Sequence, residues 1–197
     1  SEACAQRGIP YLFMFGTDKA ELYGEQNMPT WVHRQNGASR LEQLTAHLQE
    51  TDAAIDIIDP RESLLASGLR ERTFHQTDTQ WNEWGAWTAY LQLTDALRDH
   101  GFELERFHPA EVQLTTEETR GGDLARLMGL KDRLRESLIS VQLPDTRVPL
   151  TSDGEPLQVE TIDVTAPART RTQCAEGEID RGVIFHDSFG IALVPYL

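Results

Sequence analysis

The sequence predicts an α/β domain built around a parallel sheet. Three stretches carry that prediction. Ile9 to Gly16, IPYLFMFG, is an unbroken apolar run that ends in glycine, and such runs read as strands buried on both faces. Ala53 to Asp59, AAIDIID, is a second and shorter run of the same kind. RGVIFHDSFGIALVPYL, at the end, passes from a third run (Gly182 to His186) through a turn into a helical pattern. Helical segments separate these runs, and strands alternating with helices favour parallel pairing.

The elements follow in order. TDKAELYGEQNMP leaves the first strand's carboxyl end as a loop or short helix. Ser39 and Glu42 form the Ser-x-x-Glu pattern of a capping box, with Leu41, Leu44 and Leu48 at helical spacing behind them. Pro60 suits the first turn of another helix. The clearest helix runs from Asn82 to His100, with Ala86, Ala89, Tyr90, Leu93 and Leu97 as its stripe and Gly101 as its stop. GGDLARLMGL, Gly121 to Leu130, reads as a short helix between glycines. Ser137 to Val164 is richer in strand formers, with turn signals at Pro144-Asp145 and Asp153-Gly154, and reads as a β-rich insertion. Thr165 to Glu178 reads as a loop. At 197 residues the chain suits one domain spanning all of it.

Composition narrows the function. A net charge of -14 argues against nucleic acid as a partner, because phosphate binding needs a basic patch. Lysine is nearly absent, with only Lys19 and Lys131. No apolar run is long enough to span a membrane, and the opening SEACAQRGIP lacks a signal-peptide pattern. Cys4 and Cys174 are the only cysteines, and they lack metal-ligand spacing. They either pair, in an exported protein, or stand as two unpaired small core residues.

Two stretches hold candidate chemistry. In VIFHDSFG, Ser188 stands where a strand turns into a helix, at the sheet edge where open α/β sheets bind ligands. Free N–H groups at the helix start can stabilise a developing oxyanion there. The plainer reading makes Ser188 only the N-cap of the last helix. In TDTQWNEWGAW, Thr77 to Trp87, three of the four tryptophans cluster around Asp78-Thr79-Gln80-Trp81. Trp81, Trp84 and Trp87 suit either a carbohydrate platform or a core, with Trp81 supporting the site, Trp87 in the core and Trp84 open between them. Lys19 and Tyr23 follow the first strand's carboxyl end and are candidates to line the cleft.

Taken together, these segments resemble the SGNH-hydrolase-like domain of the alginate O-acetylation proteins, the AlgX/AlgJ-type polysaccharide O-acetyltransferases. GIPYLFMFGTDKAELYGEQNMP is similar to that family's first strand and its Lys…Tyr…Pro segment, and GGDLARLMGL to its Gly-Asp-Leu motif. The resemblance implies a flavodoxin-like, parallel-sheet fold. It implies that Ser188 is the nucleophile, Asp78 the acid of an Asp-x-His-Trp motif, and Gln80 the occupant of the histidine base's place. The chemistry implied is acyl transfer through an acetyl-serine, onto a polysaccharide hydroxyl or onto water, with no cofactor and no metal. Implied too are an exported or periplasmic location, an acetyl donor and a membrane acyltransferase partner. The family continues beyond the point where this chain ends, so the domain is expected to be truncated after the nucleophile turn.

Gln80 departs from the pattern. A serine hydroxyl needs a base to take its proton, and a neutral amide is not one near pH 7. His186, two residues before Ser188, is a candidate substitute if the strand stays regular. His75, three residues before Asp78, points away from Asp78 and Gln80 in an extended segment. Two functions therefore stand: an O-acetyltransferase or acetylesterase impaired at position 80, and a catalytically inactive module that holds a glycan or a biosynthetic partner. A third, in which both motifs are coincidences of an intracellular α/β protein, is the plainest.

Overall fold

The computed structural model describes residues 2–32, 37–51, 55–104, 108, 110–143, 160–162, 169–171 and 182–196. Its helices are α1 (Glu2–Ala5), α2 (Lys19–Asn27), α3 (Arg40–Glu50), α4 (Arg61–Ser67), α5 (Glu83–Asp99), α6 (Asp123–Leu127) and α7 (Ser188–Ile191), with a final 3-10 turn at Val194–Tyr196. Its strands are β1 (Leu12–Met14), β2 (Asp56–Ile58), β3 (Gln113–Arg120), β4 (Arg135–Gln142), β5 (Glu160–Ile162) and β6 (Arg169–Arg171).

β1 and β2 pair in parallel, Leu12 opposite Asp56 and Met14 opposite Ile58. The α/β reading with a parallel sheet therefore holds. β3 and β4 form an antiparallel pair, as do β5 and β6. Strand structure begins earlier than the composition of Ser137 to Val164 suggested, since β4 pairs with β3 over Gln113 to Arg120. Both of its turn signals, and the loop expected from Thr165 to Glu178, lie outside the described residues. So does Cys174.

Local signals set the helices. Ser39 and Glu42 close the predicted capping box on α3. Asn82 caps α5 by accepting from the Gly85 N–H at 3.0 Å. Gly101 follows α5 with φ of 89°, a conformation that favours glycine. α5 is the organising element and packs against α4, β4 and β2. Trp84, Ala86, Trp87, Ala89 and Tyr90 bury one broad face of it. Leu22, Leu64, Phe74, Trp81, Val112, Ile139 and Leu193 complete the core around that face.

One predicted strand is absent. Residues 182–187 pair with no strand among the described residues, and Val183, Ile184 and Phe185 are 74%, 53% and 94% exposed. An apolar run becomes a buried strand only where other strands and helices flank it, and among the described residues no strand does so here.

Candidate active site

The Asp78 stretch lies in a tight hairpin. Asn82 N–H donates to the Thr73 carbonyl at 3.0 Å and His75 N–H to the Gln80 carbonyl at 3.3 Å. Phe74 and Trp81 stand directly opposite one another between those bonds, and both are buried. Pleat alternation then puts His75 and Gln80 together on the other face. This corrects the expectation that His75 points away from Gln80: the chain doubles back between them.

The turn joining the two arms is held from three directions. Lys19, in the first turn of α2, donates to the carbonyls of His75, Gln76 and Asp78 at 2.5, 2.9 and 3.1 Å. Glu136, on β4, accepts from the N–H of Gln76 at 2.6 Å, the N–H of Thr77 at 3.2 Å and the Thr77 hydroxyl at 2.7 Å. From α6, Leu124 N–H donates to the Thr77 carbonyl at 2.9 Å and Gly122 N–H to the Thr77 hydroxyl oxygen at 2.7 Å. Tyr23 supports the hairpin's entry, its hydroxyl 2.7 Å from that of Thr73.

Asp78 sits inside this frame. Its carboxylate accepts from Asp123 N–H at 3.0 Å and from Gln80 N–H at 3.2 Å. Gly122 lies so close that a side chain there would meet the Asp78 carboxylate. Burial pushes the Asp78 carboxyl up, but the N–H groups of Asp123, Gln80 and Thr79, helped by nearby His75, hold it below its usual value. Glu136 is the same case: burial pushes it up, and the Thr77 hydroxyl with the Thr77 and Gln76 N–H groups brings it below its usual value. Burial lowers His75 below its ordinary value, with Arg72 and Lys19 acting the same way against the raising effect of Glu136 and Asp78. That favours a neutral imidazole.

The serine lies at the other half of the site. Asp187, not Ser188, is the N-cap of α7, its carboxylate accepting from Phe189 N–H at 2.9 Å. Ser188 is the first helical residue and is exposed. Two N–H groups expected to be free at this helix start are engaged, Phe189's with the Asp187 carboxylate and Gly190's with the Asp187 carbonyl at 3.2 Å. His186 places Nδ1 2.7 Å from the Asp187 carbonyl, a contact that requires Nδ1–H as donor and leaves Nε2 to accept.

Trp81 joins the two halves. Its indole N–H donates to the Phe189 carbonyl at 3.0 Å, and its ring meets the Phe189 ring edge-on at 5.1 Å. Gly16, just after β1, abuts the Phe189 ring so closely that a side chain there would collide with it. The residues next to Gln80 and next to Ser188 are thus in contact beyond the carboxyl end of β1.

Other sequence candidates take different places. Trp81 and Trp84 are each 3% exposed, so neither offers an open face for a sugar. Trp84 donates to the Ser67 carbonyl at 3.1 Å, and the Arg70 guanidinium lies over its ring. The exposed tryptophan is Trp31. Lys19 directs its ammonium at the loop carbonyls, which is a structural use rather than the open cleft position expected. Sequence reasoning missed Glu136 and Thr77 altogether, because a single carboxylate on a strand and a single threonine before the acid have no spacing to betray them.

The family model described as ALGX, SGNH hydrolase-like domain, acetyltransferase AlgX, matches residues 1–165. The chain belongs to that family. The match includes Lys19, the Asp78 hairpin and Glu136, and stops short of Ser188. Among solved structures, the chain is similar to Bacillus cereus PatB1 at 14% identity and a TM-score of 0.68, covering 99% of this chain and 72% of that one. A second PatB1 structure, described as carrying a sulfonyl adduct, matches with a TM-score of 0.67. A DHHW family protein from Eubacterium siraeum matches at 17% identity and a TM-score of 0.61, over 96% of this chain and 66% of that one. The O-acetyltransferase domain of Pseudomonas putida AlgJ matches at 20% identity and a TM-score of 0.48, with 76% of this chain covering 55% of that domain. The family match gives the chain an SGNH-hydrolase-like fold, and the PatB1 likeness agrees with it. No curated protein matches the sequence.

Proposed function

We propose that this domain takes part in O-acetylation of a polysaccharide, alginate or a related exopolysaccharide, in an exported or periplasmic setting. Ser188 is the acyl carrier, and Asp78 and Gln80 stand where the family's acid and base stand. The observation that carries this reading is the Trp81 to Phe189 contact, which brings the Asp78 hairpin against the serine turn. The serine oxygen attacks the acetyl carbonyl, the donor leaves, and a sugar hydroxyl or water then takes the acetyl group. The domain works with an acetyl donor, supplied by a membrane acyltransferase, and with the glycan. Family membership and the likeness to an O-acetyltransferase fold support the class of reaction.

Gln80 sets the rate. Without an imidazole at this place the serine proton lacks its usual acceptor, and loss of one member of such a triad slows turnover by roughly 10⁴-fold. The same residue favours the second reading, a module that holds glycan without turnover.

Two assays separate the readings. The first follows p-nitrophenyl acetate hydrolysis, with Ser188→Ala as the control. The second treats the protein with phenylmethylsulfonyl fluoride and maps the adduct by mass spectrometry. Slow hydrolysis that vanishes in Ser188→Ala, with the adduct on Ser188, is the expected result. Hydrolysis unaffected by Ser188→Ala would refute the serine mechanism. A silent protein that still binds an acetylated glycan would support the module.

A further inference from the structure

Residues 76–78 belong to no strand, so their backbone groups lack ladder partners and must find others. Two oppositely charged side chains supply them. The Lys19 ammonium takes the carbonyls of Gln76 and Asp78, with that of His75 before them, and the Glu136 carboxylate takes the Gln76 and Thr77 N–H groups and the Thr77 hydroxyl. Glu136 is only 5% exposed. Burying a carboxylate is costly unless its oxygens are satisfied, and a leucine on β4 would fill the same space without that cost. The placement of the loop accounts for the carboxylate better than packing does.

Glu136 also acts beyond the turn. The Thr77 hydroxyl donates to Glu136 and accepts from Gly122 N–H, so one bond fixes the other. Gly122 precedes Asp123, whose N–H donates to Asp78. A chain of hydrogen bonds therefore runs from β4 through Thr77 and the start of α6 to the acid.

We propose that Glu136 is a positioning residue of the acyl-transfer site: through Gln76 and Thr77 it fixes the backbone carrying Asp78 and position 80, with Lys19 gripping the same turn from the opposite side. The β3–β4 hairpin is then an arm of the active site rather than a peripheral insertion. The catalytic part of this proposal rests on the acyl-transfer reading above; the structural part stands without it.

Glu136→Gln tests both parts, because glutamine keeps the size but turns an amide N–H₂ toward groups that are themselves donors. Amide hydrogen exchange, followed by NMR, reads the structural part in the protein whether or not it turns over. The amides of Gln76, Thr77 and Asp123 should exchange roughly tenfold faster or more in the variant, while Trp87 to Thr94 within α5 keep their protection. Unchanged exchange at those amides, or an equal loss throughout α5, would overturn the proposal. The rate of Ser188 sulfonylation reads the catalytic part, in the wild type and in a Gln80→His background. Glu136→Gln should slow it roughly tenfold or more and add nothing on top of Asp78→Asn, since both act through one group. Simple additivity of the two losses would refute action through Asp78. If Ser188 is labelled in none of these proteins, the acyl-transfer reading fails, and the exchange data alone decide whether Glu136 positions the loop.

Discussion

The acid side and the serine side of this site are built in opposite ways. Around Asp78, a lysine, a glutamate and the start of α6 converge on four residues from three separate elements, and the hairpin beneath them is buried. Around Ser188, the incoming chain from 182 to 187 is exposed and pairs with no strand among the described residues, and one flank of the serine turn is packed. That flank consists of the Trp81 contact to Phe189, buried Leu193, and Tyr196 packed on Trp87. Preorganisation is thus concentrated on the half that carries Asp78 and Gln80, and the half that carries Ser188 leans on it. On the acyl-transfer reading proposed above, the apparatus that would align a base surrounds Gln80.

Removing the shared foundation should have the largest effect. Trp87 is fully buried beneath both halves, and Trp87→Ala should cost about 3–5 kcal/mol in chemical denaturation. If both halves truly share that base, Trp81 fluorescence and helical signal will be lost together. Two separate transitions would show that the halves fold independently.

Next in size comes restoration of the base. Gln80→His should raise p-nitrophenyl acetate hydrolysis by about 10²-fold or more, the usual worth of general-base catalysis. The acid side would then be shown ready to receive an imidazole. No gain, with the fold intact, would mean either a defect on the serine side or an imidazole already in use. In that case His75→Gln and His186→Gln in the wild type identify any imidazole already in use.

Trp81→Phe sharpens the contrast further, since it keeps most of the packing and removes the indole donor to the Phe189 carbonyl. A loss of about 1 kcal/mol in stability is expected, with Ser188 labelling slowed while exchange at Thr77 is unchanged.

Acid should weaken the first half before the second. Asp78 and Glu136 titrate below their unfolded values, so their contribution is complete above the ordinary carboxylate range and is lost as pH falls through the folded values. His75 is also lowered, so its burial opposes protonation and stability declines from below its ordinary pKa of about 6.5. All three act in one direction. Melting temperature should fall on acidification, and Glu136→Gln with Asp78→Asn should flatten that fall. The smallest effect belongs to the exposed approach: Phe185→Ser should change stability by less than about 0.5 kcal/mol.

Much of this was legible in the sequence where a residue's own chemistry decides its place. The Ser39 box, the long helix from Asn82 and the Gly101 stop were of this kind, and so was the order of β1, α3 and β2. What failed was what a neighbour decides. QLTTEETR has neither an apolar run nor clean alternation, and it is a strand because β4 lies beside it. GVIF has the composition of a strand and, among the described residues, no strand partner. Trp84 could have faced a sugar or the core, and only the position of α4 beside α5 chose the core. Glu136 was invisible because its role depends on a turn 60 residues away.

Lys19 carries a consequence for labelling. The chain has two lysines, and Lys131 lies exposed in a turn while Lys19 spends its ammonium hydrogens on three backbone carbonyls. An amine-directed reagent should therefore modify Lys131 quickly and reach Lys19 only when the Asp78 turn opens. The ratio of the two adducts in a mass spectrum would be a built-in clock for that opening, with no probe added to the protein.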